Sequence, residues 1–332
     1  MAALTDTQVR FFREEGYLVA EDVLDVERDL QPVVDEYSSL LDRMAAQWHG
    51  EGKLSSTFAE LPFAERWTRI IASGQADYRP FDISLTFDSQ RDSPVHLGPA
   101  VFNLLRSPRL LDAVESLIGP EILSNPVQHV RIKPPEDKLG VGQRSSLMGA
   151  TDWHQDQGVV LAEADATEIL TVWLPIFDAT VENGCLKLEP RSHLGDIVPH
   201  CSEPGKRGGL HIPDALLRQE RIIPVPVKRG GVLFMHRRTK HASLSNSSDT
   251  IRWSFDLRYN PIGQPTGRPM FPSWVARSRA HPAAELRDPA EWARLWLEAR
   301  DRLAGKGKQI TNRWGLEPPV CAEVVPTATG GS

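Results

Sequence analysis

The 332-residue chain is poor in cysteine: Cys185, Cys201 and Cys321 are its whole complement, and none forms a CxxC pair. That argues against a zinc-ribbon site or a disulfide framework, and it predicts three free thiols in a reducing, cytoplasmic setting. Basic residues are not in excess. Lys and Arg number 38 against 44 Asp and Glu, giving a formal net charge of -6 and a pI near 6.0, so the electrostatic footprint of a nucleic-acid binder is missing. No apolar run approaches the roughly 20 residues of a membrane-spanning helix. The N-terminus has no basic segment followed by an apolar core, and neither repeats nor low-complexity tracts occur. What is present is the composition of an ordinary globular protein, 40% hydrophobic and 25% charged, long enough to bury a full core.

The N-terminal third reads as helical. Thr5 is a candidate N-cap for a helix carrying Val9, Phe11 and Phe12, and Gly16 ends it. Tyr17 to Ala20 is a short strand, and Val23 to Met44 a longer helix. Residues 45–95 mix helical spacing with Pro62, Pro80 and several glycines, and no role is assigned to them. Pro99 to Ile118 reads as one amphipathic helix closed by Gly119. From Ile122 the pattern changes to short strands between Gly/Pro turns: Val127–Lys133, Glu168–Ile176, Val225–Val227, Val232–Met235 and Arg252–Tyr259. Asn183-Gly184 before Cys185–Leu188 predicts a hairpin. Such strands suggest a sandwich or barrel of jelly-roll type. A helix from Pro289 to Leu303 carries a stripe of Trp292, Leu295, Trp296 and Ala299, read as packing. The expectation is one domain over 1–332: a mainly helical part at 4–120, a jelly-roll core at 121–260 and a C-terminal extension at 261–332.

The stretch with most chemistry is Trp153-His154-Gln155-Asp156. In an extended chain positions i and i+2 share a face, so His154 and Asp156 can hold one ion together. A third ligand is sought among the remaining histidines. His129 lies on an alternating strand, and His236 and His241 follow an apolar strand; His241 is favoured by Arg252, 11 residues later. The strand around Arg252 places Arg252, Ser254 and Asp256 on one face and Trp253, Phe255 and Leu257 on the other. Two histidines and a carboxylate beside a guanidinium fork suit iron and a carboxylate-bearing ligand.

With these motifs in place, the chain resembles the phytanoyl-CoA dioxygenase family of Fe(II)/2-oxoglutarate oxygenases. The shared pattern comprises Leu-Thr-x-x-Gln-x-x-x-Phe-x-x-x-Gly-Tyr at 4–17, Trp-His-Gln-Asp at 153–156 and Glu-Asn-Gly-Cys-Leu at 182–186. It continues with Pro-x-Ser-His at 190–193, His-x-Ser-x-x-Asn at 241–246 and Arg252. The resemblance implies a double-stranded β-helix (cupin-like jelly roll), mainly β with flanking helices. It implies Fe(II) on His154, Asp156 and His241, 2-oxoglutarate and O2 as cosubstrates, and ascorbate as an aid in vitro. Arg252 would take the distal carboxylate of 2-oxoglutarate with Ser243, while Lys133, His129 and Trp173 would border the same pocket. Arg191 departs from a common glycine, and Leu186 from a threonine that bonds the cosubstrate in some relatives.

The expected reaction is hydroxylation of a C–H bond, with 2-oxoglutarate decarboxylated to succinate and CO2; desaturation, epoxidation and ring formation are alternatives. Asp156 argues against halogenation, where relatives carry a small residue. The expected substrate is a small organic molecule, with an acyl-CoA as alternative, and Arg144, Trp153, Gln157 and Arg238 are candidate contacts. The competing classes are a metal-binding jelly roll without oxygenase activity and a cupin-like metal isomerase or hydrolase. The expected assembly is a monomer or homodimer.

Overall fold

The computed structural model describes residues 3–75, 77–140, 148–201, 210–307, 309, 310, 313, 314 and 321. Two antiparallel sheets form its centre. The larger has strand order β1-β6-β3-β8-β2-β9, built from Tyr17–Ala20 (β1), Glu121–Lys133 (β2), Leu170–Pro175 (β3), Val232–His236 (β6), Arg252–Pro261 (β8) and Trp274–Ser278 (β9). The smaller has order β5-β4-β7, from Leu186–Leu188 (β4), Ile223–Val225 (β5) and His241–Ser243 (β7). The sheets meet through Trp173, Leu233 and Met235 of the first and Leu186, Leu188 and Val225 of the second, which share one buried cluster. This is the mainly β, jelly-roll architecture that the strand pattern predicts.

Alternation divides the two faces of the larger sheet. Leu170, Val172 and Leu174 of β3, Val232 and Phe234 of β6, and Trp253, Phe255, Leu257 and Tyr259 of β8 turn outward into the main core. Their neighbours in sequence, Trp173, Met235, Arg252, Asp256 and Arg258 among them, line a cavity between the sheets. The helices cover the outward face: Asp6–Glu15 (α1), Gln31–Gly50 (α2), Phe63–Ala72 (α3), Pro99–Leu105 (α4), Pro108–Ile118 (α5) and Pro289–Leu303 (α6).

The segment 45–95 has its role in this helical layer. Trp48, Phe63, Trp67 and Phe81 join Tyr37 and Trp253 in a set of aromatic contacts, with Phe63 stacked 4.6 Å from Trp253. Trp67 also donates its indole N–H to the Ile132 carbonyl at 3.3 Å, tying α3 to β2. In α6, Trp292, Trp296 and Ala299 are buried and contact Phe102 and Phe271, so the stripe is packing.

Four expectations are corrected. The helix predicted over 99–118 is two helices, because Pro108 disfavours helical backbone at Ser107, which is extended in ψ at 125°. The helix predicted from Val23 is a π turn at Val26–Leu30 followed by α2, which runs on to Gly50. Asn183-Gly184 does form a tight turn, with Gly184 at φ +88°, yet it joins no hairpin. It carries the chain from β3 in the larger sheet to β4 in the smaller one. Finally, Cys201 and Cys321 are disulfide-bonded across 120 residues of sequence, leaving only buried Cys185 as a free thiol.

The N-terminal opening is fixed to the turn at 189–194. Thr5 and Gln8 make a reciprocal capping box on α1, and Gly16 closes it in the left-handed region at φ +80°. The Arg191 amide donates to the Glu15 carbonyl, His193 Nε2 meets the Arg13 carbonyl, and the His193 ring fills the space a Cβ on Gly16 would need. Arg191 itself adopts φ +61°, a conformation suited to glycine. Among the described residues no helix is long and apolar enough to cross a membrane.

Candidate metal centre and cosubstrate pocket

His154 and His241 are brought together by their own backbones. Each donates its N–H to the other's carbonyl, at 2.9 and 3.0 Å, so an isolated bridge joins the stretch after residue 150 to β7. The imidazole centroids lie 4.2 Å apart. Asp156 follows at the start of a 3-10 turn, Asp156–Val159. One ligand atom from each of His154, Asp156 and His241 falls within 4.8 Å of the other two. Gln155, fully buried between the first two, holds the strand: its side chain donates to the carbonyls of Asp196 and Arg238, and its amide donates to His200 Nε2 at 3.0 Å.

The donor set fits a divalent transition metal. His154 Nδ1 is directed at the Asp152 carbonyl at 2.8 Å and His241 Nδ1 at the Thr239 carbonyl at 2.9 Å. Both bonds require Nδ1–H, which leaves each Nε2 lone pair free for a metal. Burial, with His241 adding to it, pushes the His154 pKa down to about 3, so the ring is neutral as a ligand must be. Burial alone would raise the Asp156 carboxyl; Arg258, His241 and His154 override it and hold the group well below the usual carboxylate range. Thr171 donates its hydroxyl to Asp156 Oδ2, and Arg258 donates to Oδ1 at 2.6 Å.

At the other end of the cavity stands Arg252. Its Nε donates to the Gly184 carbonyl at 3.1 Å and one terminal nitrogen to Ser254 Oγ at 2.6 Å. Its other terminal nitrogen, Nη2, is buried without a partner, and the guanidinium lies 5.5 Å from the Trp173 ring centroid. Burial lowers its pKa to about 10, which still leaves it charged at neutral pH. Lys133, its register partner on β2, donates to Thr151 Oγ1 at 2.7 Å and Ser243 Oγ at 3.2 Å. A buried fork with one idle donor, beside a lysine and two hydroxyls, has the donors that could hold a carboxylate.

His154, Trp173, His241 and Arg252 line one cavity; Asp156 adjoins the two histidines, and Lys133 and Ser243 adjoin the lining residue Thr151. The structure does not bring the other candidates there. His129 pairs with Asp82 at 3.0 Å and is not among the residues that line the cavity. Trp153 packs with Ile212, Leu217 and Ala242 under the Lys187 ammonium. Gln157 donates to the Asp165 carbonyl, and Arg238 faces Asp196. Arg144 lies outside the described residues. Sequence reasoning missed Arg131, Thr171 and Arg258, all of which line the cavity. Arg258 was within reach, since the alternation noted for Arg252, Ser254 and Asp256 continues to it.

The family model for phytanoyl-CoA dioxygenase (PhyH) matches residues 12–254, which include His154, Asp156, His241 and Arg252 and end within β8. The chain belongs to the phytanoyl-CoA dioxygenase family. Among similar proteins, phytanoyl-CoA dioxygenase domain-containing protein 1 of Danio rerio is 28% identical over 271 residues, covering 76% of this chain and 88% of that one. The peroxisomal phytanoyl-CoA dioxygenase of Homo sapiens is 23% identical over 263 residues, 77% of this chain and 68% of its own length. The solved non-heme monooxygenase ThoJ in its apo form superposes with a TM-score of 0.57 at 19% identity, covering 89% of this chain and 96% of ThoJ, which shows a common fold. Family membership makes this chain a non-haem iron and 2-oxoglutarate-dependent oxygenase.

Proposed function

We propose that this oxygenase hydroxylates an unactivated C–H bond of a small organic molecule, using Fe(II) held by His154 Nε2, Asp156 and His241 Nε2. One observation carries the reading. Three ligand atoms of the two-histidine, one-carboxylate type lie within 4.8 Å of one another, in a cavity whose far end holds a buried guanidinium nitrogen without a partner. A structural metal site has no use for such a fork. Fe(II) with 2-oxoglutarate and O2 supplies the oxidant, and 2-oxoglutarate leaves as succinate and CO2.

The chain's own residues do the rest. Arg252 Nη2, with the Ser243 hydroxyl and Lys133, holds the distal carboxylate of 2-oxoglutarate and so fixes the direction in which the cosubstrate lies. Trp173 and Leu186 wall the pocket and keep water from it. Leu186 stands where some relatives offer a threonine, so the cosubstrate relies on the basic end of the cavity. The setting is cytoplasmic on this reading, against which the Cys201–Cys321 bond argues.

The test is calorimetric titration of 2-oxoglutarate into protein loaded with Mn(II), a divalent ion that does not turn over. Binding that requires the metal and weakens by about ten- to a hundredfold in Arg252→Ala is expected, the range for loss of a charged hydrogen bond. Binding that is indifferent to Mn(II) or to Arg252 overturns the assignment.

A further inference from the structure

Arg258 is the cavity residue that the cosubstrate reading leaves without work. It is 5% exposed and donates to Asp156 Oδ1 at 2.6 Å and weakly to the Asp256 carbonyl at 3.4 Å. Its Nε is buried with no partner. Asp156 Oδ1 is also the oxygen facing His154 Nε2, at 3.8 Å, and therefore the one a shared metal ion claims. A divalent ion on that oxygen repels a guanidinium a few ångströms away.

Charge balance leads to the same place. Arg131 is paired with Asp256. A divalent ion and Arg252 together balance Asp156 and a doubly charged cosubstrate. Arg258 then shares Asp256 with Arg131, so one buried cation is left in excess unless an anion arrives. Arg268 adds to the excess: it lies 4.6 Å over the Phe87 ring, its Nε is buried without a partner, and Arg258 is near enough to help depress its pKa.

Position separates this cation from the cosubstrate. Arg252 and Arg258 are six residues apart on β8, roughly 20 Å along the strand. Arg252 pairs in register with Lys133, close to Ser243; Arg258 pairs with Thr171, which holds Asp156. Asp156 thus lies at the Arg258 end of the strand and Ser243 at the Arg252 end, so a distal carboxylate held at Arg252 is remote from Arg258.

We infer that Arg258 is the anchor for a carboxylate carried by the substrate to be oxidised, so that the enzyme acts on carboxylic acids rather than on neutral or cationic molecules. The guanidinium holds Asp156 through Nη2 and offers its unpartnered Nε to the substrate carboxylate. The inference rests on the iron and 2-oxoglutarate reading of the cavity.

The experiment uses full-length protein saturated with Mn(II) and 2-oxoglutarate, titrated with matched pairs of carboxylic acids and their primary amides, aliphatic and aromatic. At least one acid is expected to bind about tenfold or more tighter than its amide. Arg258→Gln should abolish that preference, and Arg258→Lys, which keeps the charge without the fork, should retain part of it. Equal binding of acids and amides, binding of neither, or a preference that survives in Arg258→Gln overturns the inference. Mn(II) and 2-oxoglutarate binding are followed in the same samples. A parent protein that binds neither removes the oxygenase assignment, whereas one that binds both but distinguishes no acid removes only the role of Arg258.

Discussion

Asp156 shows how much of a metal ligand's behaviour is set by residues that never touch the metal. Thr171 fixes its Oδ2, leaving Oδ1 toward the histidines, and the Nδ1 bonds of His154 and His241 to backbone carbonyls set which ring nitrogen is offered. Thr171→Val removes the hydroxyl at nearly constant volume, and Mn(II) affinity measured by calorimetry should fall about ten- to a hundredfold; unchanged affinity would show that the hydroxyl does not orient the ligand. The proximity of His154, Asp156 and His241 and the inward face of Arg252 were legible because His-x-Asp and a strand arginine are short-range patterns. Arg258 obeys the same alternation, while Thr171 is contributed by a different strand and had no local signal. Trp153, Gln157 and Arg238 do not line the cavity, for a related reason. Adjacency to a ligand in sequence says little about facing, and Gln157 sits in a 3-10 turn that rotates it out of the strand alternation.

Elements were easiest to read where their boundaries are set by caps. Thr5, Gln8 and Gly16 define α1 by hydrogen bonds within the helix, so its limits followed from residues alone. The turn at Asn183-Gly184 was recognised for its chemistry, but which strands it joins depends on pairings far away in sequence, and a switch between sheets looks locally like a hairpin. Arg191 is the converse case, a sequence departure explained by the structure. It occupies φ +61°, a conformation suited to glycine, and its side chain makes an exposed contact with Glu15 at 3.3 Å. Arg191→Gly should therefore stabilise the protein by about 0.5–1 kcal/mol, the left-handed strain outweighing glycine's extra freedom in the unfolded chain. Urea unfolding measures it, and a loss of stability would mean that the Arg191–Glu15 pair matters more than the backbone.

For the molecule as a whole, the helical layer is what the sequence concealed most. Residues 45–95 pack their aromatic side chains on the outer face of β8 and β2, a role no local pattern announces because it consists of contacts across the chain. The Cys201–Cys321 bond was hidden in the same way by its 120-residue separation. The fold also buries histidines outside the metal triad. Burial lowers His200 to about 4 and, with Arg237 adding to it, His236 to about 3, whereas both titrate near 6.5 once unfolded. The unfolded chain thus binds more protons than the folded one between these values. Stability from these two groups is complete above about pH 6.5 and is lost as pH falls toward about 4, at up to roughly 2–3 kcal/mol per pH unit. Chemical denaturation of metal-free protein at pH 7, 6 and 5 should show this decline; a flat profile contradicts it.

Succinate release most directly tests whether His154, Asp156, His241 and Arg252 form one oxygenase site. Purified protein is incubated with Fe(II), ascorbate, O2, 2-oxoglutarate and a library of small carboxylic acids and neutral metabolites. The account predicts succinate from the parent, none above background from Asp156→Ala, and from Arg252→Ala a rate that recovers only at about ten- to a hundredfold higher 2-oxoglutarate. Iron-loaded parent protein that releases no succinate with any compound, or an Asp156→Ala variant that releases it as fast as the parent, contradicts the account.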